Sequence, residues 1–74
     1  MQNLKKENES IWHSPEEEPT EDDYVLVRIN LGYDNRTGED IIFYDLVKMV
    51  YGWEDYLYSE NVERWCYISD LQNL

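Results

Sequence analysis

Six carboxylates fall within eight residues of this chain: Glu16, Glu17, Glu18, Glu21, Asp22 and Asp23. Fixed negative charges at such density resemble the charge spacing of duplex DNA, which presents a phosphate about every 1.7 Å of helix axis. A basic groove that reads phosphates accepts carboxylates of similar spacing. Two other uses of the run are open: a solvated loop that keeps a small protein soluble, and hard oxygen ligation of Ca²⁺ or Mg²⁺. The second acidic stretch, residues 34–40, departs from the EF-hand pattern because Arg36 stands where a ligand is needed. Asp34, Glu39, Asp40, Glu54 and Asp55 extend the acidic field. The single histidine, His13, and single cysteine, Cys66, invite a nucleophile–base pairing. An acidic setting raises a thiol's pKa, however, and Cys66 between Trp65 and Tyr67 reads as a small core hydrophobe. No catalytic residue, cofactor or metal site is therefore assigned, and the chain is expected not to be an enzyme.

The whole chain shares the character of its acidic run. Seventeen acidic against six basic residues leave a net charge of −11 over 74 residues. Such a field repels phosphate backbones and anionic headgroups, which argues against direct nucleic-acid or membrane binding. The complementary partner is a basic protein surface, above all that of a nucleic-acid-binding protein. High net charge also favours disorder, but three Trp, seven Tyr and one Phe are too many large rings for a chain that never packs them. Tyr33, Tyr56 and Tyr58 lie among carboxylates and are candidate anchors for an Arg-rich surface, by cation–π contact and ion pairing. Trp12 and Trp65 sit beside apolar neighbours and are expected in the core.

The elements that must hold these residues read as mostly β. Residues 1–10 are polar, with Leu4 the one apolar anchor, and are expected as a tail; no apolar run follows Lys5 and Lys6, so no signal peptide is read there. With one cysteine and no span-length apolar run, a cytoplasmic location is expected, and the glycosylation sequons at Asn8 and Asn35 are read as chance matches. Residues 11–74 form one small β-rich domain. Residues 11–23 are an acidic, Pro-containing loop pinned by Trp12. Residues 24–31 alternate as a strand, with Val25, Val27, Ile29 and Leu31 on one face. Residues 32–40 are turn chemistry, most simply a hairpin tip. Residues 41–51 are a second strand, in which Asp45 shares parity with Ile41, Phe43 and Val47; a bulge there or burial on both faces would resolve it. Residues 52–61 are a loop or short helical turn, residues 62–69 a third strand, and Ser69 or Asp70 a cap for a final turn. No alanine and no sustained 3.6-residue period occur, which disfavours a helical bundle. The expected fold is a small three-stranded antiparallel sheet in meander order with little helix.

The succession Trp12, a Pro-containing acidic loop to Pro19, Tyr24-Val25-Leu26-Val27, Trp53 and Val62-Glu63-Arg64-Trp65 resembles a family of small bacterial and prophage proteins, domain of unknown function five hundred and fifty-one. The likeness covers roughly residues 11–68. Members follow the last Trp with a Pro-rich tripeptide, where this chain has Cys66-Tyr67-Ile68. The resemblance implies a phage or mobile-element setting and a compact β-rich domain, and transfers no activity.

Charge, size and resemblance together lead to the expectation of a non-enzymatic acidic binding protein of phage or mobile-element type. Its concrete form would be an anti-defence inhibitor, directed at a CRISPR effector or restriction enzyme, that occupies a nucleic-acid-binding surface. The alternative is a structural or accessory module, in one form a homodimer, whose acidity serves solubility alone.

Overall fold

The computed structural model describes residues 11–20, 22–49 and 52–73; the expected tail at 1–10 and the carboxylate of Glu21 lie outside them. Three strands form one antiparallel sheet: β1 (Asp23–Asp34), β2 (Glu39–Met49) and β3 (Val62–Tyr67). The β-branched residues Val25, Val27 and Ile29 alternate along β1, the longest strand, and both other strands pair with it. The spatial order is β2-β1-β3, which corrects the meander: β3 crosses over to the far edge of β1 instead of pairing with β2. The physical reason is the loop between them, which carries Trp53, Tyr56 and Tyr58 over one sheet face. A chain crossing that face emerges beside β1's free edge.

The β1–β2 register is continuous from Asp23–Met49 to Asn30–Ile42, with Val27 opposite Asp45. Neither bulge nor double burial is needed at Asp45. Its carboxylate lies on the core face and accepts a 2.7 Å hydrogen bond from the Tyr56 hydroxyl, which satisfies it there. The irregularity falls instead between Asn30 and Tyr33, where the Gly32 N–H donates to Asn30 Oδ1 at 2.8 Å. That break ends the alternation, so Leu31, expected with the buried valines, is exposed. Strand β1 runs on past it to Asp34. The turn then closes on an Asx contact, Arg36 N–H to Asp34 Oδ1 at 2.9 Å, and on Gly38 N–H to the Asp34 carbonyl at 2.8 Å.

The core is one face of this sheet. Val25, Val27, Ile29 and Trp65 are fully buried, Trp53 and Val62 nearly so, and Phe43, Val47, Tyr56, Tyr58 and Tyr67 pack around them. Trp53 meets Trp65 edge to face, centroids 5.8 Å apart, a favourable arrangement of ring quadrupoles. After a single 3₁₀ turn at Ser59–Asn61, β3 leads into a short helix, α1 (Ile68–Gln72). This helix packs back on β1 and β3. Its N-cap is Tyr67 with no side-chain cap hydrogen bond, so neither Ser69 nor Asp70 caps it. No helix among the described residues is long and apolar enough to cross a membrane.

Candidate partner-binding surface

The acidic loop is fastened along its backbone, and its fasteners are the core tryptophans. His13 forms an antiparallel bridge with Trp65, its N–H 2.7 Å from the Trp65 carbonyl and the return bond 3.1 Å. The buried Trp65 indole N–H donates to the carbonyls of Ser14 at 3.1 Å and Glu17 at 2.8 Å. The Trp53 indole reaches the Pro15 carbonyl at 3.0 Å, and the Tyr67 hydroxyl accepts from the Thr20 N–H at 3.0 Å. The His13 ring stacks on Trp65 at 4.3 Å, and Pro19 is buried. Each contact sets a backbone group or ring inward. The carboxylate-bearing side chains of Glu16, Glu17 and Glu18 are left exposed.

Within the loop, Ser14 and Glu16 exchange hydrogen bonds: the Ser14 hydroxyl donates to Glu16 Oε1, and the Glu16 N–H donates to Ser14 Oγ at 3.2 Å. The Ser14 hydroxyl first, and the Glu16 backbone N–H second, hold the Glu16 carboxyl below the ordinary carboxylate value. Glu17 lies 3.6 Å from His13 Nδ1. Glu18 lies against Gly52, whose φ of +81° and lack of a side chain admit it: a Cβ there would collide with Glu18 Oε1. The 14–19 and 52–55 loops are thus one body, and the exposed Glu54 and Asp55 join the same end of the molecule.

The remaining acids are separated from this group. The 13–20 loop sits beside Trp65 and Tyr67, which pair with Val27 and Val25, whereas Asp34, Glu39 and Asp40 lie at the hairpin tip. At about 3.3 Å per strand residue, seven residues of β1 place the two groups roughly 20 Å apart. Asp34 is also committed locally, to Arg36, and Asp40 accepts from Asn30 Nδ2 at 3.3 Å. Asp23 is half-buried and accepts from the Tyr24 N–H at 2.7 Å; Asp22 is exposed, 3.7 Å from Lys48 Nζ.

Of the three tyrosines, only Tyr33 is a free ring, 63% exposed and on β1 rather than in a loop. Tyr56 and Tyr58 are core-facing. Burial first, and the bond to Asp45 second, raise the Tyr56 phenol above its ordinary value, and Tyr58 meets Phe43 edge to face at 5.2 Å. The second core tryptophan is Trp53. Trp12 lies half-buried with the Arg64 guanidinium 4.6 Å from its ring, and the loop is pinned by Trp53 and Trp65 in its stead.

His13 and Cys66 lie on opposite faces of β3. His13 stacks on Trp65, while Cys66, the next residue, faces the other way and is fully buried. Burial first, and Asp70 second, raise the Cys66 thiol. Among the described residues no group of three or more His, Cys, Asp or Glu side chains is arranged to hold a metal ion.

Opposite the core, the sheet face carries three of the four basic residues described, each over a ring or beside one: Arg28 at Tyr44 (5.6 Å), Lys48 at Tyr24 (6.0 Å) and Arg64 at Trp12. Glu63 joins them through Arg28 Nε at 2.7 Å and Asn30 Nδ2 at 2.7 Å. Asn30 first, and Arg28 second, lower its pKa. Strict alternation along β1 was the available signal, because Tyr24, Arg28 and Asn30 share its second face.

No protein-family model, curated protein or solved structure matches the chain. The functional reading accordingly rests on the chemistry of these surfaces.

Proposed function

We propose that the protein is a non-enzymatic acidic binding protein whose 14–19 loop, with Glu54 and Asp55 beside it, occupies a basic surface on a partner that otherwise engages nucleic acid. The observation that carries this reading is the way the loop is held. Two indole N–H groups and a tyrosine hydroxyl grip its backbone while Glu16, Glu17 and Glu18 face solvent. A loop serving solubility alone gains nothing from being rigid. Fixed carboxylates, in contrast, bind a basic groove without the ordering cost that a flexible acidic tail meets. The net charge of −11 adds long-range attraction to a cationic target and speeds encounter. In a phage or mobile-element setting, as the family resemblance implies, the concrete target is a host defence nuclease, whether a CRISPR effector or a restriction enzyme.

The test is capture from nuclease-treated bacterial lysate on the immobilised protein, eluted with rising salt, beside a variant carrying Glu17→Lys, Glu54→Lys and Asp55→Lys. These three side chains are exposed, and the bonds that fasten the loop use backbone groups, the Glu17 carboxylate meeting only His13 at 3.6 Å. The expected result is a nucleic-acid-binding protein that elutes with salt, is absent from the variant column, and is displaced by duplex DNA. Recovery of the same proteins by both columns overturns the reading.

A further inference from the structure

We infer that the outer edge of β2 is a self-association surface, at which a second copy of this chain pairs antiparallel with the first in a register centred on Tyr44. The inference is independent of the acidic-loop reading. Strand β2 is an edge strand of eleven residues, Glu39–Met49. The opposite edge of the sheet, on β3, is capped by the bridge to His13, whereas among the described residues nothing pairs with the outer edge of β2. Native edge strands are blunted by proline, lysine, bulges or short length. Residues 41–47 contain neither proline nor lysine and pair with β1 without a bulge from Ile42 onward. Ile41, Tyr44 and Leu46 along this edge are 43%, 48% and 54% exposed.

The strand's own sequence supplies the partner. Antiparallel pairing of two copies about a twofold axis perpendicular to the sheet sets one residue opposite itself and keeps like faces together. Centred on Tyr44, it sets Asp40 opposite the second copy's Lys48 and Ile42 opposite its Leu46, each twice by symmetry. All four residues lie on the face away from the core, since Ile42, Leu46 and Lys48 pair with Asn30, Leu26 and Tyr24 of β1. Centring one residue later would oppose Asp45 to its own copy, and one residue earlier would leave Asp40 facing Leu46. On that face only the Tyr44 register joins opposite charges at both ends and apolar side chains between them, the pairs that stabilise adjacent strands; on the core face it sets Ile41 opposite Val47 and Phe43 opposite Asp45. Lys48 is half exposed and its present neighbour Asp22 is 3.7 Å away at the surface, so it is free to turn to the second copy at little loss. The product is one continuous six-stranded sheet.

Sedimentation of the intact chain from micromolar to millimolar concentration tests association. The expected result is a species of twice the 9.0 kDa chain mass. Lys48→Asp should weaken it at least about tenfold, because two symmetry-related cross-strand pairs turn from attraction to repulsion, and Asp40→Lys in the same chain should restore it. Register is read by cysteine scanning: Tyr44→Cys should form an intermolecular disulfide on mild oxidation and Ile42→Cys alone should not, buried Cys66 staying silent in both. Should Tyr44→Cys not fold, an equimolar mixture of Ile42→Cys and Leu46→Cys chains gives the same reading through a mixed disulfide. A wild-type chain that stays monomeric throughout overturns the inference and leaves the β2 edge to a strand of another protein. A dimer indifferent to Lys48→Asp overturns the register.

Discussion

Replacing Trp65 with Phe removes the indole N–H that holds two carbonyls of the acidic loop while keeping an aromatic ring against Val27. The loss has two parts. The shared hydrogen bond to the Ser14 and Glu17 carbonyls contributes about 1 kcal/mol net. Phe also lacks two buried ring carbons, at about 0.8 kcal/mol each. Together they predict a destabilisation of about 2–3 kcal/mol, to be set against roughly 4–11 kcal/mol for a chain of 74 residues. At about 4–8 °C per kcal/mol for a domain of this size, the melting temperature should fall by roughly 10–20 °C. Thermal and urea unfolding give the total. Amide hydrogen exchange locates it: the Glu17 N–H, bonded to Ser14, and the Thr20 N–H, bonded to Tyr67, should lose protection far more than the amides of β1. Equal loss across loop and β1 would refute the claim that this indole fastens the loop, even if the total came out right. Unchanged loop protection would refute it too.

Four further outcomes follow from the same geometry. Gly52→Ala should cost about 1–2 kcal/mol from its positive φ and displace the Glu18 carboxylate; Glu18→Ala in the same chain should recover only the steric part, as read by urea titration. Tyr56→Phe leaves the half-buried Asp45 carboxylate without its donor and should cost about 1–3 kcal/mol. Because the folded-state pKa of Tyr56 is raised above its ordinary 10.0, the folded protein binds more protons than the unfolded one above that value, so wild-type stability should fall as pH rises past 10 and the Phe variant should show a shallower fall. Cys66, buried and with its thiol pushed up, should react with a thiol reagent only at the rate of unfolding, measured as labelling against urea. Salt should act with opposite signs at the two surfaces: raising ionic strength from about 0.01 M, where the Debye length is about 30 Å, to about 0.1 M weakens capture of a basic partner and, by screening the acidic loops of two copies from each other, tightens self-association, which sedimentation reads directly.

What the sequence reveals of this molecule follows from how local each determinant is. Val25, Val27 and Ile29 announce a half-buried strand by alternation, and Asp34 to Gly38 announce a turn, because both depend on neighbours in the chain. Strand order depends on where residues 52–58 cross the sheet, and nothing within β2 or β3 encodes that. Asp45 is instructive in the same way. Its parity is anomalous until Tyr56, eleven residues on, brings it a hydroxyl. For the acidic loop, composition marks the carboxylates, but the groups that hold them, Trp53 and Trp65, lie 38 and 48 or more residues away. An indole reads as core in any sequence. That its N–H also serves as a fastener emerges only when the loop lies across it.

The two surfaces sit where they disturb each other least. The acidic loop is bound to β3's side of the sheet through Trp65, and the proposed self-association edge is β2, on the other side of β1. In a six-stranded dimer the two loops would flank the outermost strands, five strand spacings of about 4.8 Å apart. That separation, about 24 Å, exceeds the Debye length of about 10 Å at 0.1 M salt, so the densest negative charge of each copy contributes little repulsion across the interface. At the interface itself each Lys48 would face an Asp40, and the sheet face behind it carries Arg28 on β1 and Arg64 on β3, each beside an aromatic ring. A net charge of −11 therefore does not by itself forbid pairing, because its distribution, rather than its sum, decides what two copies experience at contact. Pairing also carries a functional consequence: a partner with two basic grooves at matching spacing would meet two loops on one rigid sheet, and the second contact would be intramolecular.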